Sequence, residues 1–352
     1  MERDKQLDLY RGLSMIYVVC FIHVIYWLKI GSEPLQSLML FEMPLIFFIS
    51  GASLSFNKGH RSLTKTIWSR IKRVVLPYYI YAVVMVSIVA VLSIVWHYWL
   101  PNIISLFGEK VATKYMFDIT TYSWNDIWSI LSFSGIPQSP CVWHLWFILP
   151  YLVLSCSFEI QKRILIKVNS GGGYCVACII VFLVIQYLTD NMLFRNISCY
   201  NVFMVIGYCY YKQISKKMIL LILSICIATM TLILSCTDMT FTPMQDHKFP
   251  PDYLFMVYNL IVLCLFSLLF SKVKIPEFKL IKLWNERGYT LYLYQSIVYF
   301  GMFGIYLAII SKIGNHVLEG IICVILMFVL SAITSYIVYP LERWVMGKLF
   351  NT

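Results

Sequence analysis

The run Leu7-Asp-Leu-Tyr-Arg-Gly-Leu-Ser-Met-Ile-Tyr-Val-Val-Cys-Phe-Ile-His23 carries one basic residue at its start and one histidine at its end, with a nearly unbroken apolar stretch between them. Read as a helix it is long enough to enter a bilayer. Arg11 then lies at one edge, and His23, twelve residues on, about 18 Å deeper. Ionisable side chains at membrane depth are costly and face a partner or a cavity. His23 is therefore the first candidate for chemistry, as a general base toward a hydroxyl or a transient acyl carrier. The structural alternative is a buried imidazole bonded to a neighbouring helix.

The rest of the chain extends this reading. Of 352 residues, 60% are hydrophobic and 13% charged, with a mean hydropathy of +0.76. A soluble domain does not have this balance. The net charge of +11 does not imply a nucleic-acid partner, because the basic residues fall in short clusters between apolar runs. The first apolar run lacks a cleavage pattern and reads as a retained helix. Cys175 and Cys178 form a CxxC within an apolar run and without a second ligand pair, so they read as small packing residues. No metal is expected, since no helical carboxylate–histidine cluster occurs. Nucleophile-elbow, P-loop and dinucleotide glycine patterns are also missing from the sequence.

Ten apolar segments are predicted, at residues 10–29, 35–56, 74–96, 142–158, 174–189, 197–211, 218–236, 253–271, 289–310 and 317–338. The expected fold is an all-α polytopic membrane protein of about ten transmembrane helices, forming one domain over residues 1–352 with no appended soluble catalytic domain. With the N-terminus in the cytoplasm, 22 of the 28 Lys and Arg fall on the cytoplasmic side. The positive-inside rule thus places both termini there. Two loops are expected outside, at 97–141 and 237–252, and neither is long enough for a separate catalytic domain.

Four further groups carry the functional reading. Glu42, in the second segment, is expected about 10 Å in from the outer edge, at a depth similar to His23. A carboxylate there would fix the imidazole tautomer and stabilise the imidazolium; the alternative is a carboxylate that snorkels outward. Arg70 and Arg73, three residues apart in a basic cytoplasmic loop, share a helical face and suit the phosphates of a cytosolic ligand, although such loops are basic for topology alone. Trp143 and His144, at the expected outer start of the fourth segment, suit stacking on sugar faces and hydrogen bonding to an acceptor. An aromatic belt explains Trp143 equally well.

With these residues the chain resembles the acyltransferase-3 family, whose members modify bacterial surface polysaccharides. The resemblance is carried by Asp8-Leu-Tyr-Arg11-Gly12 through His23, Met43-Pro-Leu-Ile-Phe-Phe-Ile-Ser-Gly51, Arg70-x-x-Arg73 followed by Leu76-Pro77-Tyr78, Trp143-His-Leu-Trp-Phe-Ile148, and Gly288-Tyr-Thr-Leu-Tyr-Leu-Tyr294. It implies ten core helices, a cytosolic acyl-CoA donor, an acceptor glycan on the far side, and essential roles for the equivalents of His23, Arg11, Arg70 and Arg73. Acetyl is the commonest acyl group in such systems. This chain departs from the family in three places. Glu42 and Gln295 stand where histidine is common. Eleven residues, rather than the usual ten, separate Arg11 from His23. On a regular helix that extra residue turns His23 about 120° from the face of Arg11. A π-bulge absorbs one residue, so an irregular turn is predicted between Gly12 and Ile22.

The sequence is read as a membrane O-acyltransferase of the bacterial inner membrane. Acetyl-CoA is the donor, a surface glycan or lipid-linked sugar the acceptor, and membrane lipid the surroundings. Arg11, Arg70 and Arg73 bind the donor, His23 and Glu42 carry the chemistry, and Trp143 and His144 meet the acceptor. The alternatives are a glycolipid flippase or exporter and a glycan polymerase.

Overall fold

Long apolar runs with hydrogen-bonding groups satisfied within each segment fold as helices in lipid, and the computed structural model of the chain is 86% helical. It describes residues 4–56, 62–107, 122–134, 144–270 and 279–350, and these contain no β-strand. Trp143 lies outside the described residues. Eight helices among them are long and apolar enough to cross a membrane. In their described residues the ten expected segments are largely helical, the second being interrupted at 39–41. The segments at 142–158 and 197–211 overlap Ile148–Val168 and Met192–Tyr210. Neither of those two helices is among the eight, and they carry Lys162, Arg163 and Arg195 among their residues.

The chain divides into two compact units. The first comprises residues 1–63 and 153–286, the second residues 64–152 and 287–352. The first unit starts with α1 (Lys5–Ile16), whose N-cap Asp4 accepts from the backbone of Gln6 and Leu7 and pairs with Lys212 at 2.7 Å. A π-helical turn, Tyr17–Ile22, leads into α2 (His23–Leu28). The predicted irregular turn is thus present, and it lies directly before the histidine. Next come α3 (Glu33–Leu38) and α4 (Glu42–Ser55), separated by the non-helical residues Met39, Leu40 and Phe41.

The core of this unit is the crossing of α4 with α10 (Met192–Tyr210). A Cβ at Gly51 would stand 1.8 Å from the carbonyl oxygen of Met204, and one at Gly207 2.0 Å from that of Phe48. Only glycine at both positions lets the two backbones touch, which is how membrane helices pack where lipid supplies no hydrophobic drive. Phe47 stacks on Tyr200 beside the crossing at 4.8 Å. Helix α9 (Gly171–Leu188) packs on α10, and α11 (Lys216–Cys236) packs on the helix Tyr253–Phe270; they expose Val176, Leu183, Leu221, Ile225 and Leu232, as lipid-facing helices do. The short α12 (Met244–Lys248) and the apolar α13 (Tyr253–Phe270) complete the unit with the first turns of α14 (Lys279–Ala308).

The second unit holds α5 (Leu63–Arg70), a second π-helical segment (Ile71–Val75), α6 (Leu76–Phe107) and α7 (Trp124–Leu131). It also holds the start of α8 (Ile148–Val168), the remainder of α14, and α15 (His316–Phe350). The sequence reading places residues 97–141 as an outer loop and His144 at its outer end. In the structure α6 continues to Phe107, and the end of α7 meets the first turn of α6. Tyr78 and Tyr79, in the first turn of α6, donate to the carbonyls of Ile130 (2.8 Å) and Leu131 (2.9 Å). Tyr81 meets the ring of His144 edge-on at 6.4 Å. Tyrosine hydroxyls thus take up carbonyls at the C-terminal end of α7, which have no partner within the helix.

Candidate functional site

Arg11 is held from three directions. One terminal nitrogen donates to Asp8 Oδ1 at 2.9 Å and to Asn285 Oδ1 at 3.2 Å, and the other to Ser53 Oγ at 2.6 Å. Ser53 in turn donates to the Ile49 carbonyl. The guanidinium therefore joins α1, α4 and the start of α14. Gly12 permits this approach, since a Cβ there would stand 2.7 Å from the Ile281 side chain. Three of the five N–H groups of Arg11 are used in this way, leaving two for a ligand.

His23 opens α2 and is half-buried. The π turn before it takes up one residue, so the register from Arg11 to His23 equals eleven α-helical steps, within about 20° of a whole number of turns. This is the register that the more usual spacing gives on a regular helix.

Glu42 is the first residue of α4 and is 2% exposed. The sequence reading pairs it with His23. The partner found for its Oε1 is Lys248 Nζ, from α12 across 206 residues of sequence. Glu42 Oε2 is buried without a hydrogen-bond partner. The carbonyls freed by the break between α3 and α4 are collected by tyrosines: Tyr17 donates to Met39 (2.6 Å), Tyr26 to Gln36 (2.9 Å) and Tyr258 to Leu38. The break is thereby fixed, and Glu42 sits at a buried helix start whose dipole favours a carboxylate.

In the second unit, Arg70 closes α5 and Arg73 lies in the π segment. A π turn advances fewer degrees per residue, so the two stems diverge by more than the about 60° of an α-helix. The pair expected on one face is spread accordingly: Arg70 is half-buried, with its guanidinium 6.0 Å from the Tyr151 ring centroid, and Arg73 is exposed. Arg70 Nε is buried without a partner. Tyr289 donates to the Val74 carbonyl at 3.1 Å and anchors the π segment to α14.

His144, expected at an outer rim, is 2% exposed. Its Nε2 lies 3.2 Å from the Leu293 carbonyl, and Tyr292 donates to its own carbonyl. In this position it fastens the start of α8 to α14, the structural role open to it in sequence. Lys248, Ser53 and Asn285 are not among the site residues expected from sequence. Lys248 reads as an outer-loop charge because its partner is far away in the chain, and Ser53 and Asn285 are ordinary polar residues near helix ends. The described residues hold no cluster of three or more His, Cys, Asp or Glu placed to bind a metal.

The described residues thus form a helical, multi-pass membrane protein in which one π-helical turn directly precedes His23 and another carries Arg73. Residues 4–339 match the acyltransferase-3 family, described as an acyltransferase domain, and the chain belongs to that family. No curated protein and no solved structure gave a significant match.

Proposed function

We propose that this membrane acyltransferase moves an acyl group, acetyl by preference, from cytosolic acyl-CoA to a sugar hydroxyl of an extracytoplasmic polysaccharide or its lipid-linked precursor. The observation that carries the proposal is the π turn at Tyr17–Ile22, which restores the Arg11–His23 register despite the additional residue. Arg70 and Arg73 bind the donor phosphates through bidentate hydrogen bonds, and Arg11 uses its two remaining N–H groups on the donor. His23 takes the proton of the acceptor hydroxyl as that oxygen attacks the thioester carbonyl, then returns it to the departing thiolate. In the covalent variant the imidazole accepts the acyl group first and the sugar oxygen removes it. The enzyme resides in a bacterial inner membrane, with the donor made on one side and the glycan displayed on the other.

The test uses purified protein in nanodiscs with radiolabelled acetyl-CoA. Wild-type protein binds the donor, and Arg70→Ala/Arg73→Ala lowers the affinity at least tenfold. Mass spectrometry of surface glycans from strains with and without the gene shows loss of an acyl mass. Unchanged glycans, or donor affinity indifferent to the two arginines, refute the proposal. Altered chain length with intact ester groups points instead to a polymerase.

A further inference from the structure

The 237–252 segment, read from sequence as an outer loop, packs into the first unit. The Met244 backbone N–H donates to Ser37 Oγ at 3.0 Å, seating α12 against α3. His247 sits between two acceptors: Nδ1 is 2.6 Å from Asp252 Oδ2 and Nε2 is 2.8 Å from the Thr240 carbonyl. Asp252 also caps α13 by accepting from Phe255 N at 2.9 Å. The next residue along, Lys248, is 5% exposed and delivers its ammonium to Glu42.

A buried lysine that reaches a buried carboxylate is costly to assemble and contributes little net stability compared with an apolar pair. Its presence calls for another reason. One is visible in the carboxylate: Oε1 is occupied by Lys248, while Oε2 is buried with no partner. Tyr17, Tyr26, Tyr200 and Tyr258, one each from the π turn, α2, α10 and α13, also lie within electrostatic reach of Glu42. Three of these hydroxyls donate to backbone carbonyls of the α3–α4 break. Lys248 thus supplies a cation to Oε1, and Oε2 is the open acceptor.

We propose that Lys248 is a positioning residue for acyl transfer: its contact with Oε1 fixes the Glu42 carboxyl at the start of α4 and leaves Oε2 to accept a hydrogen bond from the acceptor alcohol. This rests on the acyltransferase reading above and adds the 237–252 segment to the acceptor side of the site. The hydroxyl held by Oε2 is oriented for attack, and its proton leaves to the general base as the C–O bond forms and the C–S bond breaks.

The experiment measures steady-state acetyl transfer and thermal stability for Lys248→Met, Lys248→Arg, Glu42→Gln and the double variant Glu42→Gln/Lys248→Met. Loss of a hydrogen bond to a charged group is expected to raise the acceptor KM of Lys248→Met by about tenfold or more, with the donor KM unchanged. Lys248→Arg, which keeps the charge, restores the acceptor KM to within a few-fold of wild type. The double variant is no worse than the poorer single, because Lys248 acts only through Glu42, and it recovers the stability that Lys248→Met loses. The proposal is overturned by a folded Lys248→Met with wild-type acceptor KM, by equal changes in both KM values, or by stability coupling between the two residues without kinetic coupling. Absence of acetyl transfer in the wild-type protein would instead sink the acyltransferase reading, and the stability cycle would still report whether the ion pair forms.

Discussion

Removing one residue from the first span should be tolerated, whereas adding one should not. The π turn at Tyr17–Ile22 holds one residue more than an α-helical path requires. Deleting Phe21, which is 41% exposed and contacts Tyr17 at the ring edge of a 6.4 Å stack, converts the turn to regular helix. The segments before and after it keep their phase. Arg11 and His23 then remain within about 20° of one face. Inserting one alanine after Phe21 leaves a residue that the existing bulge cannot absorb and rotates His23 by about 100°. On a helix whose side chains extend to a radius of about 5 Å, that rotation displaces the imidazole by roughly 8 Å. A 1 Å misplacement in an active site can cost about a hundredfold in rate, so the insertion abolishes turnover. The deletion retains activity within about tenfold of wild type. The assay is acetyl transfer in membranes with expression and fold checked by detergent size-exclusion profiles. An inactive but folded Phe21 deletion, or an active insertion, would falsify the register argument.

Gly207→Ala forces a methyl group against the Phe48 carbonyl and is expected to destabilise the first unit by about 1–3 kcal/mol; thermal melting in detergent reads it, and an unchanged melting temperature counts against the close crossing of α4 and α10. Ser53→Ala removes one of three hydrogen bonds to Arg11. It should weaken donor binding by about 1 kcal/mol, or roughly fivefold, with an unaltered donor KM as the contrary result. The hydrogen bond from His247 to Asp252 raises the imidazole pKa above its ordinary value of 6.5. A raised folded-state value stabilises the segment fully below about pH 6.5, and that contribution is lost as pH rises through the raised value. Hydrogen-exchange protection across residues 237–252, taken relative to the intrinsic base-catalysed rate at each pH, should therefore fall on going from mildly acid to alkaline pH, and Asp252→Asn should flatten that fall; an equally steep fall in that variant refutes the clamp.

Comparing particular residues separates what was legible in the chain from what was not. The apolar runs specify helices because lipid leaves the backbone no other partner, and the described residues of the ten runs are largely helical. The irregular turn before His23 was legible by counting, since one additional residue between Arg11 and His23 has to be accommodated locally. Phase and depth are properties of a single segment, so the sequence carries them.

Partnership between segments belongs to the tertiary structure. Lys248 reads as an outer charge until α12 folds against α3 and brings it to Glu42. His144 reads as a rim residue until the fold buries it beside Tyr81 and Leu293. Arg11 reads as a donor-binding cation at the membrane edge until α4 and α14 supply Ser53 and Asn285. The amino-acid sequence alone determined which stretches enter the membrane and where one of them must break its regular turn. Which buried charges meet was decided only by the packing, because the cost of an unpaired ion in lipid depends on the face that a distant helix presents to it.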